Sequence, residues 1–417
     1  MTRFSGFRVL KEALTGHNGW APLWRNPAPK PAYDFVIIGG GGHGLATAYT
    51  LAKTFGQANV AVLEKGWIGG GNVGRNTTII RSNYLLPGNQ PFYELSMKLW
   101  ENLEQDTNFN SMVSQRGIIN LIHSDAQRDA YRRRGNAMML SGAGARLLDV
   151  DQLRQMVPFL NYDNARFPIR GALMQSRAGT ARHDGVAWGY ARGADSRGVD
   201  IIQNCEVTGF RVEGGKVQGV ETTRGFIGAG KVGVAVAGHS SQVMAKAGLR
   251  LPIESHALQA FVSEGLKPTI PGVITFGAGH FYVSQSDKGG LVFGGDIDGY
   301  NSYAQRGNLP VVEDVAEGGM ALMPMIGRAR LLRSWGGIVD MSMDGSPIID
   351  RTPIDGLYFN GGWNYGGFKA TPAAGHVFAH LLATDTPHET ATAFRFDRFN
   401  RGYVIDEKGV GATPNLH

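Results

Sequence analysis

The sequence predicts an α/β (α+β) fold in which a nucleotide-binding domain, assembled from discontinuous segments, carries an inserted sheet-rich domain. Near the N terminus, an apolar run, a glycine loop, a helical run and a second apolar run form a βαβ unit. Near-continuous apolar strands of this kind are typical of a parallel sheet that is covered on both faces. Further along the chain, apolar and polar residues alternate with a period of two, which indicates antiparallel strands joined by hairpins.

The predicted elements follow in chain order. Residues 1–30 form an arm, because the proline-rich stretch 26–31 cannot continue a helix. The βαβ unit comprises a strand over residues 33–38, a helix over 45–55 and a strand over 59–63. The later elements are helices over 89–106, 124–140, 184–196, 311–323 and 366–382, strands over 117–122, 346–350 and 357–361, and hairpin turns at 213–216 and 287–290. Asp184 is the predicted N-cap of the helix over 184–196.

The chain is predicted to leave the nucleotide-binding domain twice and to return to it each time. Residues 31–90, 170–248 and 330–417 are expected to form the nucleotide-binding domain. Residues 91–169 and 249–329 are expected to form the inserted substrate or interface domain.

The composition limits the possible classes of protein. Of 417 residues, 42% are apolar and 18% are charged, which is enough apolar material for a folded core and argues against disorder. The net charge is +6, but the longest basic cluster covers only residues 132–134, so no nucleic-acid footprint is evident. The one cysteine, Cys205, excludes an intramolecular disulfide and a cysteine-ligated metal cluster. No apolar run approaches the ~18 residues of a membrane span, so we expect a cytoplasmic protein.

The glycine loop has the G-x-G-x-x-G pattern of a Rossmann-like dinucleotide-binding domain, formed by Gly39, Gly41 and Gly44 between a strand and a helix. Gly39 permits a tight turn, Gly41 lets the backbone approach a pyrophosphate, and Gly44 allows the helix to pack on the strand. Glu64, at the end of the next strand, is placed to accept hydrogen bonds from a ribose, which disfavours NADP. The alternative is a glycine-rich turn in an ordinary α/β protein.

Gly42 and His43 complete the loop. Gly42 lies where the helix N terminus supplies N–H groups and partial positive charge to a bound anion. His43 is either a neighbour of the phosphates or a polar side chain on the outer surface of the loop, and both interpretations stay open at this stage.

The segment after Glu64 distinguishes FAD from NAD. Residues 66–81 are rich in glycine and replace the helix that an NAD enzyme usually places there. With this segment, the sequence resembles the D-amino-acid oxidase and glycine oxidase group of FAD-dependent oxidoreductases, and within it the β subunits of heterotetrameric sarcosine oxidases. The motifs that carry the resemblance lie at residues 39–48, 62–84, 182–184, 200–209, 335–340 and 366–369.

The resemblance implies a subunit that binds FAD non-covalently and oxidises sarcosine, N-methylglycine, at that FAD. It also implies a second flavin, FMN, attached covalently to His183, from which electrons pass to oxygen to give hydrogen peroxide. The implied partners are the α, γ and δ subunits of a heterotetramer. NAD and tetrahydrofolate are then expected on the α subunit, where the one-carbon product is transferred.

The resemblance further assigns roles to single residues. Arg81 and Lys369 match the family's contacts to the substrate carboxylate, which a guanidinium binds through two parallel hydrogen bonds and a lysine holds as a point charge. From the residues alone, Arg81 could be a surface charge and Lys369 an ordinary residue in the first turn of the last helix. The other residues expected along the FAD are Asn72, Thr77, Ile79, Val207, Gly366 and Gly367, together with Lys369, and Arg75 is a candidate contact for the FMN phosphate.

His183 is assigned to FMN only by the resemblance, because a histidine just before a predicted N-cap is ordinarily a loop residue. Two other functions stay open. One is a flavin-dependent proline or other amino-acid dehydrogenase subunit, and the other is a non-catalytic subunit that holds flavin for assembly. Arg81 and Lys369 argue against the second, because a chain without a substrate needs no pair of residues that binds a carboxylate.

Overall fold

The structure, a computed structural model, describes residues 5–163, 166–277 and 281–405. Its α-helices are α1 (Gly6–Leu14), α2 (Gly42–Thr54), α3 (Gln90–Thr107), α4 (Asp125–Leu140), α5 (Val150–Met156), α6 (His183–Asp195), α7 (Ser240–Ala245), α8 (Leu309–Leu322) and α9 (Gly367–Thr384). Its strands are β1 (Ala32–Ile38), β2 (Val60–Leu63), β3 (Ile79–Ile80), β4 (Ile118–Leu121), β5 (Arg146–Leu148), β6 (Ala172–Gln175), β7 (Gly179–Thr180), β8 (Asp200–Ile202), β9 (Val207–Glu213), β10 (Lys216–Thr222), β11 (Gly225–Val234), β12 (Ile253–Gly265), β13 (Val273–Phe276), β14 (Phe281–Gln285), β15 (Gly290–Ile297), β16 (Leu331–Ser342), β17 (Ile348–Arg351) and β18 (Leu357–Gly361).

The first sheet is the parallel sheet that the apolar runs predicted. Strands β8, β2, β1, β11 and β18 are parallel neighbours in that order, and β17 pairs antiparallel with β18 at one edge. The β9–β10 hairpin pairs antiparallel with β11. All four residues of β2 are buried, as expected for a strand covered on both faces.

The second sheet is mainly antiparallel, in the order β16-β12-β15-β14-β13-β4-β6-β5, with a parallel pair between β13 and β4. Its strands come from two stretches of the chain, residues 118–175 and 253–342. Strands β6 and β16, which the predicted division gives to the nucleotide-binding domain, pair within this second sheet. The domain boundaries themselves stay a prediction, and residues 406–417 of the last predicted segment lie outside the described residues.

Most predicted elements are confirmed within a few residues, including the hairpin turn at Gly214 and Gly215, which both have positive φ. The prediction of Asp184 as an N-cap was wrong. Helix α6 begins one residue earlier, at His183, and its N-cap is Arg182, whose φ and ψ are extended. Asp184 instead lies in the first turn, where its negative charge interacts favourably with the helix dipole.

Helices α2 and α9 pack closely and bring two distant segments of the chain to one place. A Cβ atom on Gly375 of α9 would lie 2.3 Å from the Cβ of Ala46 on α2, so a glycine is required at this contact. The N-terminal ends of both helices then face the same cavity, which lies between the two sheets.

Candidate active site

The site is a cavity of about 790 Å³ whose walls come from both sheets. The glycine loop after β1, the segment after β2 and the N terminus of α9 form one wall. Residues of the second sheet, among them Asn120, Thr275 and Tyr282, form the opposite wall. A volume of this size lies in the range of pockets that enclose a cofactor or a drug-sized ligand.

The glycine loop has the backbone geometry that a dinucleotide requires. Gly39 has a φ of 109°, and a Cβ atom there would lie 2.3 Å from the carbonyl oxygen of Ala235. A Cβ atom on Gly44 would lie 1.9 Å from the carbonyl oxygen of Gly39. Gly41 differs from both, because a Cβ atom there would meet no protein atom within 4 Å, although the residue lines the cavity. The space in front of Gly41 is therefore available to a ligand.

Glu64 lies at the cavity wall, just after β2. Its Oε2 accepts a hydrogen bond from the Gly40 N–H at 2.9 Å, and its Oε1 accepts one from the Gly66 N–H at 2.8 Å. These two bonds fix the carboxylate between the glycine loop and the segment that follows. A carboxylate oxygen has two lone pairs, so each oxygen still has capacity to accept from a ribose hydroxyl.

His43 links the glycine loop to α9. Its Nε2 lies 2.7 Å from the carbonyl oxygen of Gly367, and its ring makes an edge contact with Trp363 at 4.6 Å between centroids. Because a carbonyl only accepts, Nε2 carries the hydrogen. Burial lowers the pKa of His43 to about 4, so the ring is neutral near pH 7. His43 thus lies on the cavity wall and not on the outer surface of the loop.

This neutral histidine makes the stability of the protein depend on pH. The folded pKa of His43, about 4, lies below its usual value of 6.5, so between these values the unfolded chain binds more protons than the folded one. The contribution of His43 to stability should therefore fall as the pH drops through this window, by up to about 1.4 kcal/mol per pH unit for one such group. Burial lowers the pKa of His123 to about 4 as well, which adds to the same trend.

We expect His43→Gln to reduce this acid sensitivity, because glutamine can still donate to Gly367 but does not titrate. Urea unfolding at pH 7 and pH 5 measures the loss of stability in both proteins. His123 contributes the same loss of stability to both proteins. The total loss should therefore be smaller in the variant, which lacks the contribution of His43. An equal loss in the two proteins would show that His43 does not cause the effect.

The segment over residues 72–78 is held against β16. The side-chain amide of Asn72 donates to the carbonyl oxygen of Ile338 and accepts from the Ile338 N–H at 3.0 Å. Trp335 Nε1 donates to the carbonyl oxygen of Arg75 at 2.6 Å, and Arg75 Nη2 donates to Gln305 Oε1 at 3.0 Å. Asn72 and Arg75 both line the cavity, but the amide of Asn72 is used to position this segment.

Arg81 and Lys369, which the resemblance pairs as contacts to one carboxylate, both line the cavity, and the binding role itself stays a prediction. Arg81 is half-buried, with its guanidinium 5.0 Å from the ring centroid of Tyr84, and it donates to Asn83 Oδ1. Lys369 is only 6% exposed, and its Nζ donates to the carbonyl oxygen of Tyr365. Burial, and then the positive charge of Arg81, hold the pKa of Lys369 well below its usual value. An anion beside both groups would favour the charged form of Lys369 and so offset this effect.

A stack of two tyrosines supports this end of the cavity. The rings of Tyr84 and Tyr93 are nearly parallel, with 3.7 Å between their centroids. A Cβ atom on Gly366 would lie 2.1 Å from the hydroxyl oxygen of Tyr93, so this position requires a glycine. Arg81 on one side and Gly366 on the other therefore contact the same stack. Nothing in the spacing of Tyr84 and Tyr93 indicated this arrangement.

Asp340 is a second feature that the residue types alone did not reveal. It is buried, and its Oδ2 accepts hydrogen bonds from the N–H groups of Gly362 at 2.6 Å and Trp363 at 3.1 Å. Burial raises its pKa to about 6. The carboxylate holds the turn that leads into α9. The sequence placed Asp340 within the motif over residues 335–340, but the motif did not indicate what Asp340 does.

The remaining predicted contacts also line the cavity. Val207 is buried, and its carbonyl oxygen accepts from Lys246 Nζ at 2.8 Å. Thr77 hydrogen bonds to Tyr282, whose pKa burial raises to about 12. Ile79 pairs with Thr180 between β3 and β7. The structure thus groups these residues with the glycine loop, while their contacts to a cofactor stay a prediction.

His183 does not line the cavity, although its helix α6 packs against the segment over residues 72–75, which does. It is the first residue of α6, and its side chain is 32% exposed. Its buried Nδ1 has no hydrogen-bond partner among the described residues, and Asp184 Oδ1 is 3.9 Å away. Burial lowers the pKa of His183, which favours the neutral imidazole. Of the two residues expected to contact FMN, Arg75 lines the cavity and His183 does not.

Among residues 5–163, 166–277 and 281–405, no group of three or more His, Cys, Asp or Glu side chains is arranged to hold a metal ion. Within the same ranges, every helix is too short or too polar to cross a bilayer.

Comparison with known proteins places the chain in a family. The FAD dependent oxidoreductase (DAO) family model matches residues 34–381. The chain is 74% identical over 415 residues to the sarcosine oxidase subunit beta of Rhizobium meliloti (strain 1021), covering 100% of both proteins. It is 53% identical over 394 residues to the sarcosine oxidase subunit beta of Arthrobacter sp, covering 94% of this chain and 97% of that protein.

Solved structures support the same fold. L-Proline dehydrogenase from P. horikoshii superposes with a TM-score of 0.84 at 26% identity, covering 90% of this chain and 100% of that chain. Glycine oxidase from Geobacillus kaustophilus superposes with a TM-score of 0.79 at 22% identity, covering 88% and 99% respectively. The family model spans most of the sequence. The two sarcosine oxidase β subunits match this chain over nearly its full length. The chain therefore belongs to the family of FAD-dependent oxidoreductases, and within it to the sarcosine oxidase β subunits.

Proposed function

We propose that this chain oxidises sarcosine at a non-covalently bound FAD and passes the electrons to a covalent FMN on His183 and then to oxygen. The products are glycine, hydrogen peroxide and a one-carbon unit that is transferred to tetrahydrofolate. The chain acts in the cytoplasm with α, γ and δ subunits, and the α subunit binds NAD and tetrahydrofolate. The observation that supports this proposal most strongly is the presence of Arg81 and Lys369 in the same cavity as a dinucleotide-binding loop.

The cavity fits a bound FAD. Gly41 leaves open space at the helix N terminus, where a pyrophosphate binds, and Glu64 presents a fixed carboxylate for the ribose. Asn364 Oδ1 and Arg75 Nε are buried in the cavity lining and have no hydrogen-bond partner among the described residues. Buried polar atoms are normally satisfied, so a polar ligand here would complete the site. When bound, FAD supplies the acceptor for the equivalent of a hydride from the carbon beside the amine nitrogen.

The protein's own contribution is to position the substrate. Sarcosine offers one carboxylate, which Arg81 binds in a bidentate manner and Lys369 holds as a buried positive charge. Both cations are partly withdrawn from water, so each interacts with the carboxylate more strongly than it would at the surface. The helix N terminus at Gly367 adds partial positive charge on the same wall, where it stabilises negative charge on a ligand.

The surroundings of His183 fit a second ligand group outside the FAD cavity. The His183 Nδ1, which has no hydrogen-bond partner among the described residues, would bond to the 8α carbon of FMN; one hydrogen would leave each partner, their two electrons would reduce the flavin itself, and oxygen would reoxidise it. Ser111, whose carbonyl oxygen accepts from the Arg182 N–H, also has a buried hydroxyl without a partner among the described residues. Because His183 is partly exposed, another subunit would complete this half-site.

The proposed activity is tested by adding sarcosine anaerobically to the purified complex. FAD absorbance should bleach, and methoxyacetate, which keeps the carboxylate but lacks the amine, should compete. Bleaching by L-proline without bleaching by sarcosine would indicate the dehydrogenase alternative. No bleaching by either compound would indicate a subunit that only holds flavin.

The covalent FMN is tested separately by peptide mass. Trypsin cleaves after Arg182, so the peptide over residues 183–192 begins with His183. From the assembled complex, this peptide should carry the mass of FMN less two hydrogens. A His183→Ala complex should lack the modification, yet its FAD should still bleach with sarcosine. An unmodified peptide from the assembled wild type would remove His183 from the proposal.

A further inference from the structure

Two side chains of helix α4 line the cavity. The helix itself contributes no residue to the glycine loop or to the pair of cations that is expected to bind the carboxylate. Tyr131 and Arg134 are three residues apart, so they lie on one face of the helix, and both are partly buried. The Arg134 guanidinium lies 5.9 Å from the ring centroid of Tyr131. Arg132 and Arg133, between them, are exposed. The basic cluster in the sequence is therefore split, with one arginine facing the cavity.

Helix α4 is anchored next to the segment that carries Arg81. Gln175 Nε2 donates both to Ser82 Oγ at 2.8 Å and to the carbonyl oxygen of Ala143, just beyond α4, at 3.2 Å. Gln90 Nε2 donates to the carbonyl oxygen of Ala137 within the helix at 3.2 Å. These contacts place Arg134 at the same end of the cavity as Arg81.

The charged residues that line the cavity are unevenly distributed. Two of the carboxylates in the lining, Glu64 and Glu206, follow β2 and β8 at the end expected for the adenosine, where Lys65 and Lys246 also line the cavity. A third, Asp340, is buried and bonded to backbone N–H groups. The end reached by α4 contains Arg81, Lys369 and Arg134. Among the described residues that line this end, the cations outnumber the carboxylates. Such an excess of positive charge attracts an approaching anion and raises its local concentration and association rate.

We propose that Arg134 forms the entrance to the substrate end of the cavity, where it attracts the substrate carboxylate before Arg81 and Lys369 bind it. The inference rests on the proposed function, since it assumes an amino-acid substrate. Arg81 and Lys369 already supply enough positive charge for one carboxylate. A third cation on a different helix, partly exposed and backed by Tyr131, is placed to act on the approaching ligand.

The test compares Arg134→Gln with Arg133→Gln in the assembled complex. The second substitution removes the same charge from the same helix, at a residue that does not line the cavity. At low ionic strength, Arg134→Gln should lower kcat/KM for sarcosine by about tenfold, within the range of electrostatic steering, and should leave kcat nearly unchanged. Arg134→Lys should restore most of the loss. The difference from wild type should shrink as salt shortens the Debye length from about 30 Å to about 8 Å.

Binding of methoxyacetate, followed by the change in flavin absorbance, provides a readout that does not need turnover. Arg134→Gln should weaken this binding at low salt, and Arg133→Gln should not. If both variants behave like wild type in kcat/KM and in methoxyacetate binding, Arg134 has no role at the entrance. A fall in kcat with no salt dependence would also overturn the inference. Failure of the proposed function itself would look different, because the wild-type FAD would then not respond to sarcosine at all.

Discussion

Replacing Lys369 by methionine should lower kcat/KM for sarcosine by roughly 30- to 4,000-fold, the range that corresponds to a loss of about 2–5 kcal/mol for a buried charge pair. Methionine fills nearly the same volume but cannot bind a carboxylate. Burial and Arg81 already disfavour the charged form of Lys369 in the free protein. The folded chain should therefore not lose stability in this variant, because a destabilised buried charge is removed.

The measurement is the rate of anaerobic FAD reduction across a range of sarcosine concentrations, with thermal unfolding as the second readout. Lys98→Met is the matched control, since Lys98 is an exposed lysine on α3. It should change neither reduction nor unfolding. Reduction at the wild-type rate in Lys369→Met would show that the lysine does not bind the substrate.

Replacing Gly41 by valine should abolish FAD binding while leaving the fold intact, with an expected loss of affinity of at least about 100-fold, or roughly 2.8 kcal/mol. Gly41 has an extended backbone, with φ at −80° and ψ at −177°, so valine can adopt its conformation. A Cβ atom there meets no protein atom within 4 Å. The new side chain would therefore occupy only the space that we assign to the pyrophosphate.

Two further substitutions separate loss of cofactor from loss of fold. Gly299→Val adds the same side chain at an exposed residue with no atom within 4 Å, and it should retain FAD. Gly44→Ala places a Cβ atom 1.9 Å from a backbone oxygen, and it should reduce the yield of folded protein. FAD content and thermal unfolding of the protein without cofactor distinguish the three cases. Full FAD content in Gly41→Val would contradict the assignment of the glycine loop.

The elements that depend on local sequence were predictable. The helix predicted over residues 45–55 is α2, which begins earlier, at Gly42, because glycines that looked like loop already have helical geometry. The turn at residues 213–216 follows from two adjacent glycines between alternating strands. The glycine loop and Glu64 were found for the same reason, since their spacing lies within one βαβ unit.

Contacts between distant segments could not be predicted from local patterns. Strand β16 was missed, because its first four residues are exposed and Gly336 and Gly337 interrupt the alternation. The bonds from Asn72 to Ile338 and from His43 to Gly367 join residues 266 and 324 positions apart. Arg81 and Lys369 were paired only through the resemblance, because no property of either residue requires the other.

The most direct measurement is a crystal structure of the assembled complex with methoxyacetate. We expect FAD along the glycine loop, and the inhibitor carboxylate within about 2.7–3.2 Å of the Arg81 guanidinium and of Lys369 Nζ. A nicotinamide cofactor in the cavity, or an inhibitor carboxylate bound away from both cations, would contradict the proposal that this cavity oxidises a small amino acid at a flavin.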